Sequence, residues 1–175
     1  LQLQENGSFK QTNFLSNQSL SAILIDKNNK LWIGGSQGEL FRMNLSDEQF
    51  EKTSIQQNIV GHISAFYYTG KTMLIGSESG LFIYDLQTER AELFLLGKDF
   101  RTKHLTSFLE ADNSTVWIGT GNGLYLFDWK KKSVTNEIEY SEKNHDGLSN
   151  NTVLSLLKLG NNQVLVGTSN ALNLL

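Results

Sequence analysis

Leu31-Trp32-Ile33-Gly34, Met73-Leu74-Ile75-Gly76, Val116-Trp117-Ile118-Gly119 and Val164-Leu165-Val166-Gly167 are one phrase written four times in a chain of 175 residues. Its glycines stand 42, 43 and 48 residues apart, a period too long for a leucine-rich repeat and suited to a four-stranded propeller blade. Around each phrase apolar residues alternate with a period of two, and glycine-rich turns recur at intervals of about 8 to 12 residues, which argues against helical repeats. The sequence therefore predicts an all-β chain of about four four-stranded antiparallel β-propeller blades, either a whole or a segment of a larger propeller.

Each unit reads outward from an inner strand through a turn to the strand bearing the phrase, then a tight turn, a third strand and an outer strand. The units cover about 15–54, 62–96, 104–140 and 152–175 of a single 1–175 segment, with 7–12 as an orphan outer strand. In the first unit Leu20, Ala22 and Leu24 alternate with Ser21, Ile23 and Ile25, and 26–30 supplies a hairpin turn in which Asn accepts a positive φ. Gly38, Gly80 and Gly123 take one aligned turn position, with Ala171 in the last unit. Outer strands fall at 49–54, 92–96 and about 134–140, and the last unit has no room for one after Leu175. The orphan strand complements that gap. Open sheet edges invite unwanted pairing, so three arrangements are expected: four blades closing alone, a homodimer sharing open blade edges, or a longer ring.

A length of 175 residues buries about 70% of the unfolded chain's surface, enough for a core without staples. Net charge is −3 with Lys and Arg scattered, so no clustered cations are present to hold a polyanion and nucleic acid is not an expected partner. The run Lys130-Lys131-Lys132 reads as solvated lysines at a strand end. No apolar stretch reaches the roughly 20 residues of a membrane helix, so no membrane contact is expected of this segment. Leu1-Gln2-Leu3-Gln4-Glu5 resembles neither a signal peptide nor an initiation site and suggests an excised or processed piece. With no cysteine, the chain has neither disulfides nor thiol chemistry nor zinc-thiolate sites.

More specific stretches are 146–156, Asp-Gly-Leu-Ser-Asn-Asn-Thr-Val-Leu-Ser-Leu, followed by Val166-Gly167-Thr168, and Leu15-Ser16-Asn17 read on through Asp26 to Gly35. Both resemble the two-component regulator propeller repeat, whose units run from Gly-Leu-Ser-x-Asn through Val-x-x-Ile-x-x-Asp to Leu-Trp-Ile-Gly-Thr and Gly-Leu. The stretch 117–128, Trp-Ile-Gly-Thr-Gly-Asn-Gly-Leu-Tyr-Leu-Phe-Asp, is the best single match. The second unit departs, with Gly61-His62-Ile63 in place of Ser-x-Asn, Leu74 in place of Trp and Tyr68 where the family prefers Asp. The resemblance implies the periplasmic sensor region of a membrane-spanning histidine kinase, commonly a hybrid kinase of gut Bacteroidetes that responds to glycan fragments. Its implied partners are an oligosaccharide and the remaining domains of the kinase, so this piece would itself sense or scaffold.

Trp32 and Trp117 suit sugar stacking, but Leu74 and Leu165 fill the same repeat position, which reads as inter-blade core. Trp129, aligned with Leu45 and Leu86, reads the same way. His62 and His104 fall one residue before the inner strands of adjacent units. On that reading Ser19, His62, His104 and Thr152 ring one mouth of the channel, with Gln37, Ser79, Asn122 and Asn170 on nearby turns. Such neutral donors and acceptors match sugar hydroxyls. No cofactor is expected, and no metal, because no third ligand stands at a diagnostic spacing from the two histidines. No pair of carboxylates suggests a glycosidase, and 119–123, Gly-Thr-Gly-Asn-Gly, is a hairpin turn and no phosphate loop. Non-enzymatic ligand recognition is thus the expected role. The alternatives are a protein-interaction or dimerisation scaffold and a propeller lyase using histidine with a metal.

Overall fold

The structure, a computed structural model, describes residues 15, 17–45, 49–53, 59–96, 104–142, 147–160 and 163–175. The expected orphan strand at 7–12 lies outside these residues. Four antiparallel sheets follow one another along the chain. The first blade holds β1 (Leu20–Ile25), β2 (Lys30–Gly35), β3 (Leu40–Asn44) and β4 (Gln49–Lys52), and the second β5 (Ile63–Tyr68), β6 (Thr72–Ser77), β7 (Gly80–Asp85) and β8 (Arg90–Phe94). The third holds β9 (Leu105–Glu110), β10 (Thr115–Thr120), β11 (Gly123–Asp128) and β12 (Ser133–Ile138), and the fourth β13 (Val153–Lys158), β14 (Val164–Thr168) and β15 (Leu172–Leu174). Each sheet pairs its strands in chain order, and the fold is the array of propeller blades that the repeated phrase predicts.

The phrase marks the joint between blades. Inner strands pack side by side, β1 on β5, β5 on β9 and β9 on β13. At each joint the first residue of an inner strand sits on the glycine of the preceding blade. A Cβ added at Gly34 would fall 2.6 Å from the Ile63 side chain, at Gly76 3.0 Å from Leu105 and at Gly119 2.7 Å from Val153. These three residues are fully buried. A β-bulge breaks the register at the start of every inner strand, between Leu20 and Ala22, Ile63 and Ala65, and Val153 and Ser155, and beside Gly119–Thr120 in the third blade. Bulges re-aim the extra side chain. Here the extra residue is Ser21, Ser64 or Thr106, and its hydroxyl donates to the main-chain carbonyl of the seated residue. Ser21 Oγ reaches Ile63 O at 2.6 Å, Thr106 Oγ1 reaches Val153 O at 2.8 Å, and Ser64 does the same to Leu105.

The residue before each glycine by two supplies the apolar filling, facing the following blade. Trp32 is 1% exposed among Ile63, Ile75 and Tyr84, Leu74 lies among Leu105, Val116 and Tyr125, and Trp117 packs partly buried against Leu148, Val153 and Val166. Buried Asp26 fixes the first hairpin, accepting from Asn28 N at 2.8 Å, Lys30 N at 3.1 Å and Trp32 Nε1 at 2.9 Å. Asn29 takes φ 58° in the same turn. The residue equivalent to Asp26 in the second blade is Thr69, not Tyr68: both close the turn with a backbone hydrogen bond to the residue before the phrase, Asp26 to Lys30 and Thr69 to Thr72.

Two alignments shift for physical reasons. The first tight turn is one residue longer than the others, so Gly35 N pairs with Glu39 O where Ser77 pairs with Gly80 and Thr120 with Gly123. Glu39, not Gly38, is therefore the counterpart of Gly80, Gly123 and Ala171. Second, β8 and β12 begin at Arg90 and Ser133, ahead of the expected 92 and 134. The turns before them end on Glu89 and Lys132 with φ 54° and 52°, non-glycine residues that give no sequence cue to a left-handed turn. The lysine run is part of the second of these turns, with Lys131 paired to Asp128 and Lys132 to Glu92.

The joints predict a contrast. Gly34→Ala must push Ile63 away and is expected to lower stability by about 1 to 3 kcal/mol, whereas Gly167→Ala, which meets chiefly the movable Ser155 Oγ, is expected to cost clearly less. Urea unfolding of the two variants measures the difference, and equal losses would contradict the joint.

A second expectation concerns Asp112, whose Oδ1 accepts from Ser114 N at 2.7 Å and Thr115 N at 2.8 Å. These hydrogen bonds, that from Ser114 first, hold its carboxyl down from 3.8 to about 2. A depressed carboxylate stabilises the fold above its unfolded value and loses that contribution as pH falls through the folded one. The advantage of wild type over Asp112→Ala should thus shrink between about pH 4 and pH 2 in thermal melts.

Candidate functional site

The four positions before the inner strands are equivalent in the structure as well as in the sequence. The carbonyls of Ser19, His62, His104 and Thr152 each accept from the turn after the phrase, from Ser36, Glu78, Gly121 and Ser169 at 2.8, 3.3, 2.8 and 3.0 Å. The four residues therefore stand at the same end of adjacent inner strands. Gln37, Ser79, Asn122 and Asn170 occupy the next turn position. Their backbone N–H groups are held by the turn itself: Gln37 donates to Glu39 Oε2, Ser79 to Ser77 Oγ, Asn122 to Thr120 Oγ1 and Asn170 to Thr168 Oγ1. Buried Ser77 and Thr120 also donate to Gly80 O and Gly123 O at 3.1 and 2.9 Å, and Gln37 and Asn122 are exposed.

Of the eight expected residues, two meet. The rings of His62 and His104 lie 4.7 Å apart at 69°. A third group joins them that the spacing of the sequence did not single out: Glu78 Oε1 stands 2.8 Å from His62 Nδ1, and the ligand atoms of all three residues lie within 4.8 Å of one another. The signal was present in the repeat, because Glu78 replaces Ser36, Gly121 and Ser169 at one turn position. Gly61 makes room for it. With φ 77°, Gly61 presses against Glu78, and a Cβ there would fall 2.7 Å from that of Glu78. The second blade's departures from the repeat pattern thus build the cluster. His104 is held below the ordinary imidazole value of 6.5, first because burial disfavours its charged form and then because His62 is beside it, with Glu78 opposing.

The Gly-Leu-Ser-Asn-Asn-Thr stretch before β13 is structural. Leu148 is buried in the joint with the third blade, Ser149 N donates to Asn173 Oδ1 at 2.8 Å, and Asn150 Oδ1 accepts from Thr152 N and Ser169 Oγ, each at 2.8 Å. A cleft of about 270 Å³ opens beside this stretch, between Tyr140, Glu142, Leu148 and Asn173. None of the eight expected residues lines it.

Residues 13–37 match the family model of the two component regulator propeller, the stretch in which Leu15-Ser16-Asn17 and Leu31-Trp32-Ile33-Gly34 carry the resemblance. The fold is similar to the extracellular domain of the hybrid two-component system BT4673 of B. thetaiotaomicron, with a TM-score of 0.74 and 21% identity over 89% of this chain and 21% of that one. It is also similar to the corresponding domain of BT3049 from the same organism, with a TM-score of 0.72 and 15% identity over 90% of this chain and 23% of that one. The chain thus spans about a fifth of these domains. The computationally designed Ika4 protein superposes with a TM-score of 0.67 and 14% identity, over 90% of this chain and 91% of that one. Comparison with curated proteins gives no match.

The cluster's electrostatics can be read by NMR. His104 is expected to titrate below 6.5, and Glu78→Gln, which removes the neighbouring negative charge, should lower its midpoint further. A midpoint that rises in Glu78→Gln would mean that the carboxylate does not act on His104.

Proposed function

We propose that this chain is a non-enzymatic, ligand-recognising segment of the periplasmic sensor region of a two-component signalling protein, and that its ligand is an oligosaccharide. The observation that carries the reading is the regulator-propeller repeat at 13–37 within blades similar to extracellular domains of hybrid two-component systems. The carbohydrate assignment draws on chemistry. Ser19, Gln37, Asn122 and Asn170 are exposed at one end of the array, offering neutral donors and acceptors in the mixture that sugar hydroxyls require.

A second reading, an interaction or dimerisation module, is favoured by the outer faces of the terminal blades. Ile23 and Ile25 of β1 are 72% and 58% exposed, and Leu157 and Leu172 of the fourth blade 58% and 66%. Apolar faces of this kind are what a further blade or a second copy would cover.

Calorimetric titration of the chain with a panel of oligosaccharides, in chelator so that no metal contributes, separates the readings. Binding that weakens about tenfold or more in Gln37→Ala/Asn122→Ala supports carbohydrate recognition at the ring. Unchanged binding in that variant places recognition elsewhere, and no binding across the panel together with a dimer in light scattering supports the second reading.

A further inference from the structure

We propose that His62, Glu78 and His104 form a binding site for a divalent transition-metal ion, zinc by its donor set, at the joint between the second and third blades. The inference is independent of the carbohydrate reading. Two imidazole nitrogens and one carboxylate oxygen from three residues lie within 4.8 Å of one another, all reachable from solvent. Zinc holds nitrogen and oxygen ligands at about 2.0 to 2.2 Å, so ligand atoms around it stand roughly 3 to 3.5 Å apart. His62 Nδ1 and Glu78 Oε1, now 2.8 Å apart across a hydrogen bond, need to open by only a few tenths of an ångström when an ion replaces the proton between them. His104 needs to close by about an ångström, which rotation of a partly exposed side chain supplies.

The chemistry of the set selects the ion. Calcium and magnesium require shells of oxygen, whereas two imidazoles with a carboxylate suit zinc and its transition-metal neighbours. Three protein ligands leave a coordination position for water or for a donor atom of another molecule. The supports are rigid. His62 and Glu78 are tied by their own backbone hydrogen bond, and His104 by that from Gly121, while the residues following the histidines, Ile63 and Leu105, are the buried joint residues. Because His62 and Glu78 belong to one blade and His104 to the next, a bound ion would cross-link the two.

The test uses the intact chain after dialysis against chelator, titrated with zinc chloride by calorimetry and, in parallel, melted with and without zinc. One equivalent of zinc should bind at micromolar affinity or better and raise Tm, and His62→Ala, Glu78→Gln and His104→Ala should each weaken binding roughly tenfold or more with the β circular dichroism spectrum unchanged. His145→Ala, the remaining histidine, should bind as wild type does. Glu78→Gln retains size and polarity, so its loss of affinity with Tm preserved in chelator would identify a ligand and not a folding defect. Absence of zinc binding, binding undiminished in Glu78→Gln and His104→Ala, or magnesium competing at equal concentration would overturn the proposal.

Discussion

Ile63, Leu105 and Val153 bear the joints on which everything else in the array depends. Each offers its side chain to a glycine of the preceding blade and its carbonyl to a hydroxyl of the same blade. The two demands are met by different devices, a missing Cβ and a bulge, and neither suffices alone. Without the glycine the sheets stand too far apart for the hydroxyl to reach, and without the hydroxyl a part-buried carbonyl loses its partner, at a net cost of about 0.5 to 1.5 kcal/mol. Apolar burial around Trp32, Leu74 and Trp117 then fills the space that this spacing defines.

The same constraint sets the geometry of the candidate site. His62 and His104 are the residues immediately before Ile63 and Leu105, so the joints that seat one pair of side chains also set the separation of the other. That the rings end 4.7 Å apart follows from the spacing of two inner strands at their bulged ends. Glu78 belongs to the turn that hydrogen-bonds back to His62, and it reaches the imidazole because Gly61 presents no side chain. Placement by backbone contacts is what makes the cluster a property of the fold.

How much of this the sequence disclosed depended on whether the information repeats. The blades, their phrase and the equivalence of Ser19, His62, His104 and Thr152 were legible because four copies could be laid over one another. Features carried by one copy were harder to read. The first tight turn's extra residue is Gly38 itself, which looks like the glycines of the other units and so hides that Glu39 is their counterpart, and the left-handed turns at Glu89 and Lys132 use residues that do not announce them. The hydroxyl clamp repeats, yet as Ser, Ser and Thr within apolar strands it resembles ordinary alternation until the bulge is seen. Glu78 was legible only as a substitution in a turn, and its meaning required knowing that the turn folds back over the histidines.

The clamp also gives the array a direction. Every blade carries a socket, the glycine, on one side and a knob, the first residue of its inner strand, on the other; Leu20 is a knob that is 44% exposed, and among the described residues the atoms nearest to the socket at Gly167 are those of Ser155 in its own blade. The fourth blade differs in one respect: its bulge residue is Leu154, which has no hydroxyl to give. A surface seated on Gly167 would meet the Ser155 hydroxyl there but would find no hydroxyl on the bulge residue to receive its carbonyl. In mechanical language the three described joints are hinges each closed by one hydroxyl latch, and the fourth blade offers its socket without a latch at the bulge.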